Sequence, residues 1–391
     1  MEGNIVNYIT QIRGVSYKPS DLHDSLNENS IILLRANNIV DGKINFEDVV
    51  YVDKSKVSET QILRENDVLI CASSGSKNLV GKAASFNGNI ECTFGAFCKV
   101  IRPRNILGSY LSAFFQSKYY RFHISQFANG ANINNIKNEH INSFSIPERT
   151  LEEQKEISYK VFSLKRVIEK YNRELELLDE LVKARFVEMF GDPVTNDMLW
   201  NTDVLKDICT KIGSGSTPRG GKESYIDEGI SLIRSMNVHN AHFEYKDLAH
   251  ITLDQAEKLN NVVVEHDDLL FNITGASVAR CCVVPSDVLP ARVNQHVCIL
   301  RCREKINPIF LQGLLVNENY QGKLLQIAKS GATREAINKQ QLESLEIMIP
   351  PLELQNQFAS FVQEIDKSRL RELLAIKQIK LLLNDSWLLF Y

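Results

Sequence analysis

The sequence lacks the features that mark secreted, membrane-spanning and metal-binding proteins. Its 391 residues include 8 cysteines but no Cys-x-x-Cys pair, and no apolar run reaches the roughly 18 residues that a membrane span needs. The start, Met1-Glu2-Gly3-Asn4, has neither the basic end nor the apolar stretch of a signal peptide. We therefore expect reduced cysteines that pack as small hydrophobes, no metal site, no membrane association and a cytoplasmic location.

A strong charge of one sign is also missing. Lys and Arg total 45 and Asp and Glu total 48, so the formal net charge is −3, and no segment forms a basic arm. The ordinary composition, 44% hydrophobic and 24% charged, excludes collagen-like and disordered proteins. If a chain with this balance binds DNA, it must gather its cations on one face or obtain them from a partner.

What the sequence does contain is an internal repeat at an offset of 199 to 201 residues. The aligned segments are 34–39 with 233–238, 66–70 with 267–271, Gly75 with Gly275, 97–98 with 297–298, 126–128 with 326–328, 130–131 with 331–332, and 151–154 with 352–355. Matches in one order at one offset are not chance, whereas most side chains between them differ. The two halves are therefore predicted to share a backbone plan and to present different surfaces.

Each half predicts short strands followed by a helical segment. The strands are predicted over 31–35, 68–72 and 97–101 in the first half and over 231–234, 269–273 and 297–301 in the second. Turn-forming Asn, Asp, Gly and Ser separate them, and helices follow around 109–127 and 307–328. The length and this pattern predict an α+β fold class with two similar domains.

A long helix is predicted after each of these domains. In the first, apolar residues at alternating steps of four and three form the seam of a coiled coil: Ile157, Val161, Leu164, Ile168, Tyr171, Leu175, Leu178 and Val182. The second keeps a looser seam, broken by Arg369 and Glu372: Phe358, Val362, Ile365, Ile376, Ile379 and Leu383. Helices of this size are roughly 55 Å long. A helical hairpin packed on its own domain would also be apolar, but it would not need so regular a seam.

The repeat suggests a domain order and an arrangement. We expect a first domain over 1–150, a long helix over 151–191, a second domain over 192–351 and a second long helix over 352–391. Because the two halves are alike, the helices are most simply antiparallel, which gives the chain a pseudo-twofold axis. Such helices would fix the separation of the two domains.

Several short motifs recur in this framework. Residues 212–218 read Ile-Gly-Ser-Gly-Ser-Thr-Pro, 293–296 Val-Asn-Gln-His, 330–333 Ser-Gly-Ala-Thr, 349–355 Ile-Pro-Pro-Leu-Glu-Leu-Gln, 146–147 Ile-Pro and 151–154 Leu-Glu-Glu-Gln. In their order, spacing and duplication they resemble the specificity subunit of type I restriction-modification enzymes over essentially the whole chain. The first domain departs from the pattern, with Ile-Arg-Gly-Val-Ser-Tyr at 12–17 and Thr-Phe-Gly-Ala at 93–96. That departure suits a recognition domain of another subtype and leaves its contact residues less defined.

The resemblance implies a function and partners. Two target recognition domains would each read one half of a bipartite, asymmetric site in double-stranded DNA, and the helices would set the spacer and dock partners. The partners would be two methyltransferase subunits, which use S-adenosylmethionine to methylate adenine, and two restriction subunits, which use ATP and Mg. No cofactor is expected in this chain.

The catalytic motifs that we considered do not fit. Residues 75–82 and 215–222 approach a phosphate-binding loop, but each has five intervening residues where four are required. Residues 307–310, Asn-Pro-Ile-Phe, lack the second proline of the amino-methyltransferase signature and favour a helix start. His239 and His242 have no third ligand nearby and are interpreted as loop residues. We therefore expect a noncatalytic subunit.

Polar side chains on the predicted loops are the candidates for DNA contact, because base edges and phosphates are bound by Arg, Lys, Asn, Gln, Ser and Thr. In the first domain they are Arg13, Ser16, Lys18, Arg35, Asn38, Ser74, Lys77, Lys82, Asn132, Asn134 and Asn135. In the second they are Ser214, Ser216, Thr217, Arg219, Lys222, Arg234, Asn237, Thr274, Arg280, Thr333 and Arg334. Any one of them alone is more often a solvated surface residue. Arg35 and Arg234 occupy equivalent positions and also suit a shared structural role, so specificity is expected from loops that differ between the halves.

Two other classes of function remain open. A duplicated coiled-coil scaffold for protein partners would share the helices without DNA specificity, and its affinity need not fall steeply with ionic strength as phosphate contacts do. A catalytic subunit with a degenerate site would require turnover by the isolated chain.

Overall fold

The computed structural model describes residues 2–76, 78–129, 135–218, 220–329 and 335–385. The chain forms two compact units, and each contains both sheets and helices. Unit 1 comprises Met1–Asn172 and Leu373–Tyr391, and unit 2 comprises Arg173–Glu372. The expectation of two similar α+β domains is confirmed, and all six predicted strands are present within one or two residues of their expected bounds.

Unit 1 is built from short strands in three sheets. The strands are β1 (Glu2–Asn4), β2 (Ile9–Arg13), β3 (Leu22–His23), β4 (Ser30–Leu34), β5 (Ile39–Val40), β6 (Lys43–Ile44), β7 (Val50–Asp53), β8 (Val68–Cys71), β9 (Ala83–Ser85), β10 (Cys92–Phe94), β11 (Cys98–Pro103) and β12 (Ser145–Pro147). The sheet orders are β2-β11-β8-β9-β6-β5, β10-β4-β7-β3 and β1-β12. Three helices, α1 (Gly108–Phe115), α2 (Lys118–Asn129) and α3 (Asn138–Asn142), precede β12, and the long helix α4 (Leu151–Phe190) follows it.

Unit 2 repeats this plan. Its elements are β13 (Thr202–Val204), α5 (Leu205–Ile208), β14 (Cys209–Ser214), β15 (Ile230–Ile233), β16 (Val238–His239), β17 (His242–Phe243), β18 (Ala249–Ile251), α6 (Leu253–Glu257), β19 (Val263–Val264), β20 (Leu269–Asn272), β21 (Cys281–Val283), β22 (Ala291–Val293), β23 (Val297–Cys302), α7 (Pro308–Val316), α8 (Glu318–Lys329), α9 (Lys339–Glu343), β24 (Glu346–Met348) and α10 (Leu352–Asp385). The order β14-β23-β20-β21 matches β2-β11-β8-β9, the parallel pair β15-β22 matches β4-β10, and β13-β24 matches β1-β12.

Each helix predicted around 109–127 and 307–328 is in fact two helices, so this expectation was wrong. In unit 1 the break lies at Ser117, whose Oγ accepts the N–H of Tyr120 at 3.2 Å. In unit 2 it lies at Asn317, whose Oδ1 accepts the N–H of Asn319 at 3.0 Å. Ser and Asn favour helix starts because their side chains satisfy the first free N–H groups, and the apolar pattern on both sides had concealed the break.

The ends of α4 follow from local chemistry. Thr150 and Glu153 form a reciprocal cap: the Thr150 N–H donates to Glu153 Oε2 at 2.7 Å, and the Glu153 N–H donates to Thr150 Oγ1 at 3.3 Å. The helix stops at Gly191, which has a φ of +75°. A Cβ there would lie 2.1 Å from Asp197 Oδ1, so glycine is required.

Parts of α4 and α10 pack together inside each unit. In unit 1, Leu383 packs on the core cluster that contains Ile157 and Val161. In unit 2 the rings of Phe186 and Phe358 lie 5.5 Å apart, and Phe358 also meets Phe190 at 5.7 Å. Every predicted seam position is buried or half-buried, whereas most neighbouring positions are exposed. In unit 2 the helical segments run antiparallel, because Phe186 and Phe190 of α4 meet Phe358 of α10, whereas the earlier Asp179 pairs with the later Arg369.

The two polar residues that interrupt the second seam lie on its buried side in unit 2. Arg369 pairs with Asp179 across the helices and with Asp366 at 2.7 Å on its own helix. Glu372 Oε2, in contrast, is buried and has no hydrogen-bond partner among the described residues. Burial and the nearby Glu174 carboxylate raise the pKa of Glu372.

Replacing Glu372 with leucine is expected to raise the free energy of unfolding by about 1 kcal/mol at pH 7, because it removes a buried oxygen without a partner. The raised pKa means that Glu372 binds a proton more readily in the folded wild-type protein than in the unfolded chain. The wild type therefore gains stability as the pH falls, and the advantage of the variant shrinks. Urea titrations at pH 7 and 4.5 measure this difference. Glu364→Leu is the control, because Glu364 is exposed and pairs with Lys367 at 2.6 Å. An equal gain from both variants would contradict the attribution of the gain to the buried Glu372 oxygen.

The cysteines behave as the sequence predicted. All eight are free; seven are buried and Cys302 is half-buried. Burial raises the pKa of the Cys71 thiol to about 11 and that of Cys92 to about 12, so these thiols stay protonated at pH 7. Among the described residues, none of the helices combines the length and apolar character required to span a membrane.

Candidate nucleic-acid interface

The first cleft lies where several strands of unit 1 end. It has a volume of about 690 Å³ and is lined by the loops after β2, β4, β8 and β10. The lining residues are Val15, Ser16, Tyr17, Arg35, Ala36, Asn37, Ser73, Ser74, Gly75, Gly95, Ala96, Phe97 and Cys98. It therefore brings together three residues predicted from sequence: Ser16, Arg35 and Ser74.

The second cleft occupies the equivalent place in unit 2. It has a volume of about 440 Å³ and is lined by Ser235, Met236, Thr274, Gly275, Ala276, Ser277, Arg280 and His296. Matching backbone hydrogen bonds show the equivalence: the Ala72 N–H donates to Phe97 O at 2.9 Å, and the Ile273 N–H donates to His296 O at 3.0 Å. Phe97 therefore corresponds to His296, one residue away from the Val297 with which the sequence repeat aligned it.

Glycines allow the backbone segments beside both clefts to approach closely. A Cβ on Gly215, in the Ile-Gly-Ser-Gly-Ser-Thr-Pro motif, would lie 1.8 Å from Val293 O. A Cβ on Gly14 would lie 2.1 Å from Gly95 O. Backbone hydrogen bonds join the same segments: the Val15 N–H donates to Phe94 O at 2.8 Å, and the Gly215 N–H donates to Asn294 O at 3.1 Å. The motif glycine is thus a packing requirement of the loop.

The chemistry of the two clefts differs. Phe97 is 71% exposed in the first cleft and offers a large apolar surface. In the second cleft His296 Nδ1 lies 2.6 Å from Thr274 Oγ1, and its Nε2 lies 3.2 Å from Gln295 Nε2. Thr217 in turn donates to Gln295 Oε1. The second cleft therefore carries a connected set of hydrogen-bonding groups where the first has an aromatic ring.

Two predicted contact residues serve the fold. Asn38 is 1% exposed, and its Oδ1 accepts the Arg35 N–H at 2.7 Å. Its Nδ2 donates to the carbonyl oxygens of Asn45 and Asp48, both at 2.9 Å. Asn237, which is 0% exposed, makes the same kinds of contact with the Arg234 N–H and with nearby carbonyls. Because these amides are fully used in holding loops, we leave both out of the proposed DNA contacts.

Arg35 and Arg234 are tied to the protein in a related way. Arg35 Nη2 lies 3.0 Å from Asp48 Oδ1, and Arg234 donates to Asp247 O and lies 5.4 Å from the centre of the Tyr225 ring. Their equivalent positions thus have an internal function, although Arg35 also lines the first cleft.

The remaining candidates fall into three groups. Exposed or half-buried residues of the described chain are Arg13, Ser16, Lys18, Ser74, Asn135, Ser214, Ser216, Thr217, Lys222, Thr274 and Arg280. Arg13 and Ser214 end strands β2 and β14, so the expectation that they lie on loops was wrong. Lys82 lines a separate cavity with Arg121 and Lys165. Outside the described residues lie Lys77, Asn132, Asn134, Arg219, Thr333 and Arg334. Their flanks do reach the clefts, since Asn135 bridges to Ser73 and Ala336 to Thr274.

Sequence reasoning missed Phe97, His296 and Gln295 as site residues. Phe97 read as the first residue of a predicted strand, where an aromatic side chain is ordinary. His296 and Gln295 stand in the Val-Asn-Gln-His motif, which was used only for its resemblance. A useful signal was available: the motif falls between two buried strands, where an exposed polar loop is expected to be functional.

The site and the fold define a class: a duplicated protein with two equivalent clefts of unequal chemistry, each formed by loops at strand ends. No group of three or more His, Cys, Asp or Glu side chains able to hold a metal ion occurs among the described residues. Such an arrangement is suited to binding two different targets with one backbone plan.

Comparison with known proteins identifies the family. The family model described as type I restriction modification DNA specificity domain matches residues 16–178 and 198–381. The chain therefore belongs to this family, which confirms the resemblance drawn from the motifs. It is 28% identical over 379 residues to the type I restriction enzyme EcoKI specificity subunit of Escherichia coli (strain K12), covering 91% of this chain and 80% of that protein. It is 29% identical over 372 residues to the StySPI specificity subunit of Salmonella potsdam, with the same two coverages.

Solved structures share the fold. The type I restriction-modification S subunit from M. genitalium matches with a TM-score of 0.58 and 13% identity, covering 100% of this chain and 96% of that one. A chain from a study of complex assembly and conformational transition of the type I R-M system matches with a TM-score of 0.57 and 17% identity, covering 97% and 96%.

Proposed function

We propose that this chain is the noncatalytic specificity subunit of a type I restriction-modification complex and that each cleft reads one half of a bipartite, asymmetric DNA site. The observation that carries the proposal is the pair of equivalent clefts lined by different side chains. Equivalent backbones would approach the two half-sites alike, while Phe97 on one side and His296 on the other would select different bases. We assign residues 1–150 and 192–351 as the two recognition domains.

The proposed contacts are the residues of loops and strand ends that remain available to a ligand. In the first domain they are Arg13, Ser16, Lys18, Ser74 and Asn135, and in the second they are Ser214, Ser216, Thr217, Lys222, Thr274 and Arg280, to which we add Phe97 and His296. Cations among them would bind phosphates, and the hydroxyl, amide and imidazole groups would bind base edges. The formal net charge of −3 implies that partners supply part of the phosphate neutralisation.

We further propose that α4 and α10 set the spacer between the half-sites. A helix of 40 residues is about 60 Å long at 1.5 Å per residue. Two recognition modules can face the same side of a duplex only when their separation suits whole helical turns of about 34 Å. The antiparallel packing of the helical segments in unit 2 and the packing of Leu383 on the core of unit 1 support a fixed separation.

The outer faces of the helices offer docking surfaces for partner subunits. On α10 in unit 1 the side chains of Leu373, Leu374, Leu381 and Leu382 are between 49% and 57% exposed. On α4 in unit 2, Leu177 and Leu181 are 46% and 47% exposed. We propose that two methyltransferase subunits bind here and bring S-adenosylmethionine, and that two restriction subunits bring the ATP and Mg chemistry. Leucines exposed at helical spacing are typical of faces that a partner covers.

The methylation pattern of DNA tests this function directly. When the chain is expressed with its methyltransferase partner, we expect methylated adenines within one motif that has two specified half-sites and a fixed number of unspecified base pairs between them. Sequencing of modified adenines measures this, with the methyltransferase expressed alone as the control. Methylation at a contiguous motif, or a pattern unchanged by removal of this chain, would refute the proposal.

A further inference from the structure

A second cavity of unit 1 concentrates positive charge. It has a volume of about 200 Å³, and Lys82, Arg121 and Lys165 line it together with Gln116, Gly42 and one carboxylate, Asp41. None of its lining residues belongs to the first cleft. We call it the cationic cavity. Three cations gathered around a small space repel one another, so a fold keeps such a group at a cost unless an anion binds there.

Contacts within the protein leave these charges largely uncompensated. Lys165 donates to Gln116 Oε1, a neutral oxygen, at 2.5 Å. Arg121 donates to the carbonyl oxygens of Val80 at 2.8 Å and Asn78 at 3.2 Å, which are also neutral. Lys82 Nζ has no hydrogen-bond or ion-pair partner among the described residues.

The closest acid to Lys165 on its own helix is already engaged. Glu169 pairs with Lys43 at 2.7 Å. Burial lowers the pKa of the Lys165 ammonium to about 8, so this group still carries its charge at pH 7.

The internal repeat shows that the fold does not require this cluster. Gln321 of unit 2 stands where unit 1 has Arg121, and it donates to Ala279 O at 2.9 Å, one residue beyond the equivalent of Val80. Counted from the starts of α4 and α10, Lys165 corresponds to Asp366, an exposed residue that pairs with Arg369. At the third position unit 2 keeps a cation, because Arg280 stands where unit 1 has Lys82. Two of the three charges are therefore additions specific to unit 1.

We propose that the cationic cavity is a binding site for one phosphate-type oxyanion. Phosphate oxygens accept hydrogen bonds from guanidinium and ammonium groups, and the cavity offers one guanidinium and two ammonium groups. The Gln116 side chain, whose Oε1 accepts Lys165, is held in place because its Nε2 donates to Ser112 Oγ at 2.9 Å. The phosphate could come from the DNA backbone or from solution. The DNA source rests on the proposed function, whereas the dissolved source does not.

The first experiment is thermal unfolding of the full-length chain with and without 10 mM inorganic phosphate at constant ionic strength. A site with a dissociation constant of about 1 mM raises the melting temperature by about 3 °C under these conditions. Arg121→Gln, the residue that unit 2 uses, and Lys165→Met are each expected to abolish this shift and to melt at or above the wild-type temperature without phosphate. Lys170→Met, an exposed lysine on the same helix, should keep the shift.

The second experiment asks whether DNA is the source. The affinity of the assembled methylase for its DNA site is measured against salt concentration for the wild type and Lys165→Met. Loss of one DNA phosphate contact lowers the slope of log K against log salt by about 1. A lower slope assigns the cavity to DNA, and an unchanged slope with the thermal shift intact in the wild type assigns it to dissolved phosphate; both support an oxyanion site.

The absence of both a phosphate-dependent shift in the wild type and a slope change would overturn the site. If the wild-type methylase binds no specific DNA, the proposed function fails. The thermal experiment still tests whether the cationic cavity binds phosphate.

Discussion

Replacing His296 with alanine is expected to weaken binding of the assembled methylase to one half-site by about 10- to 100-fold and to leave the other half-site unaffected. A good hydrogen-bonded contact with a base edge is worth about 1–3 kcal/mol of discrimination. His296 is suited to such a contact because Thr274 at 2.6 Å fixes its ring from the Nδ1 side, in a cleft that also exposes Arg280. Binding titrations on DNA altered in each half-site in turn measure the effect.

The two clefts provide matched controls for this variant. His266→Ala removes an exposed histidine of unit 2 that does not line the second cleft, and it should bind DNA like the wild type. Phe97→Ala should show the reverse pattern, with its loss confined to the half-site that His296→Ala spares. Equal losses at both half-sites for His296→Ala would show that one cleft does not serve one half-site.

The shared architecture could be predicted from sequence because the repeat carries structural residues. The segments 34–39 and 233–238 contain Asn38 and Asn237, whose amides hold equivalent loops. The same reasoning explains an error: residues that recur in both halves were also included among the candidates for DNA contact. A residue retained in both of two domains with different targets is more often needed by their common backbone.

The clefts could be predicted only in part. Ser16, Arg35 and Ser74 lie far apart in sequence, and their loops meet because parallel β4 and β10 end beside β2 and β8. Strand order across a sheet depends on long-range pairing, which the local pattern of a single sequence does not specify. The exposure of Phe97 follows from the same pairing: β11 begins one residue later, at Cys98, and leaves the ring outside the strand.

The largest expected change in stability comes from Asp268, a buried carboxylate that the sequence did not single out as a paired charge. It is 0% exposed, and Arg301 contacts it through Nε at 2.8 Å and Nη2 at 2.9 Å. The N–H of Glu265 donates to the same carboxylate at 2.7 Å. Asp67 and Arg102 form the equivalent pair in unit 1, at 2.9 and 2.7 Å.

Asp268→Ala is expected to lower the free energy of unfolding by about 3–5 kcal/mol. It removes the buried anion of the partly buried guanidinium, which keeps only the more exposed Glu265 carboxylate, and it frees a backbone donor. Urea unfolding of the full-length chain measures the loss. Asp267→Asn is the control, because the Asp267 side chain, next to Asp268 in sequence, is exposed. Asparagine also suits this left-handed backbone position, since Asn66 occupies the equivalent position in unit 1.

The double variant Asp268→Ala with Arg301→Leu separates two explanations of that loss. If the cost arises from an unpaired buried charge, removing the arginine should recover a large part of the stability, because no isolated cation remains. If the cost arises from the cavity and the lost loop contact alone, the double variant should be at least as unstable as Asp268→Ala. Recovery would show that the loss comes from the unpaired charge. The pair itself ties β23 to the turn before β20, and this turn leads to the strand whose end carries Thr274 and the second cleft.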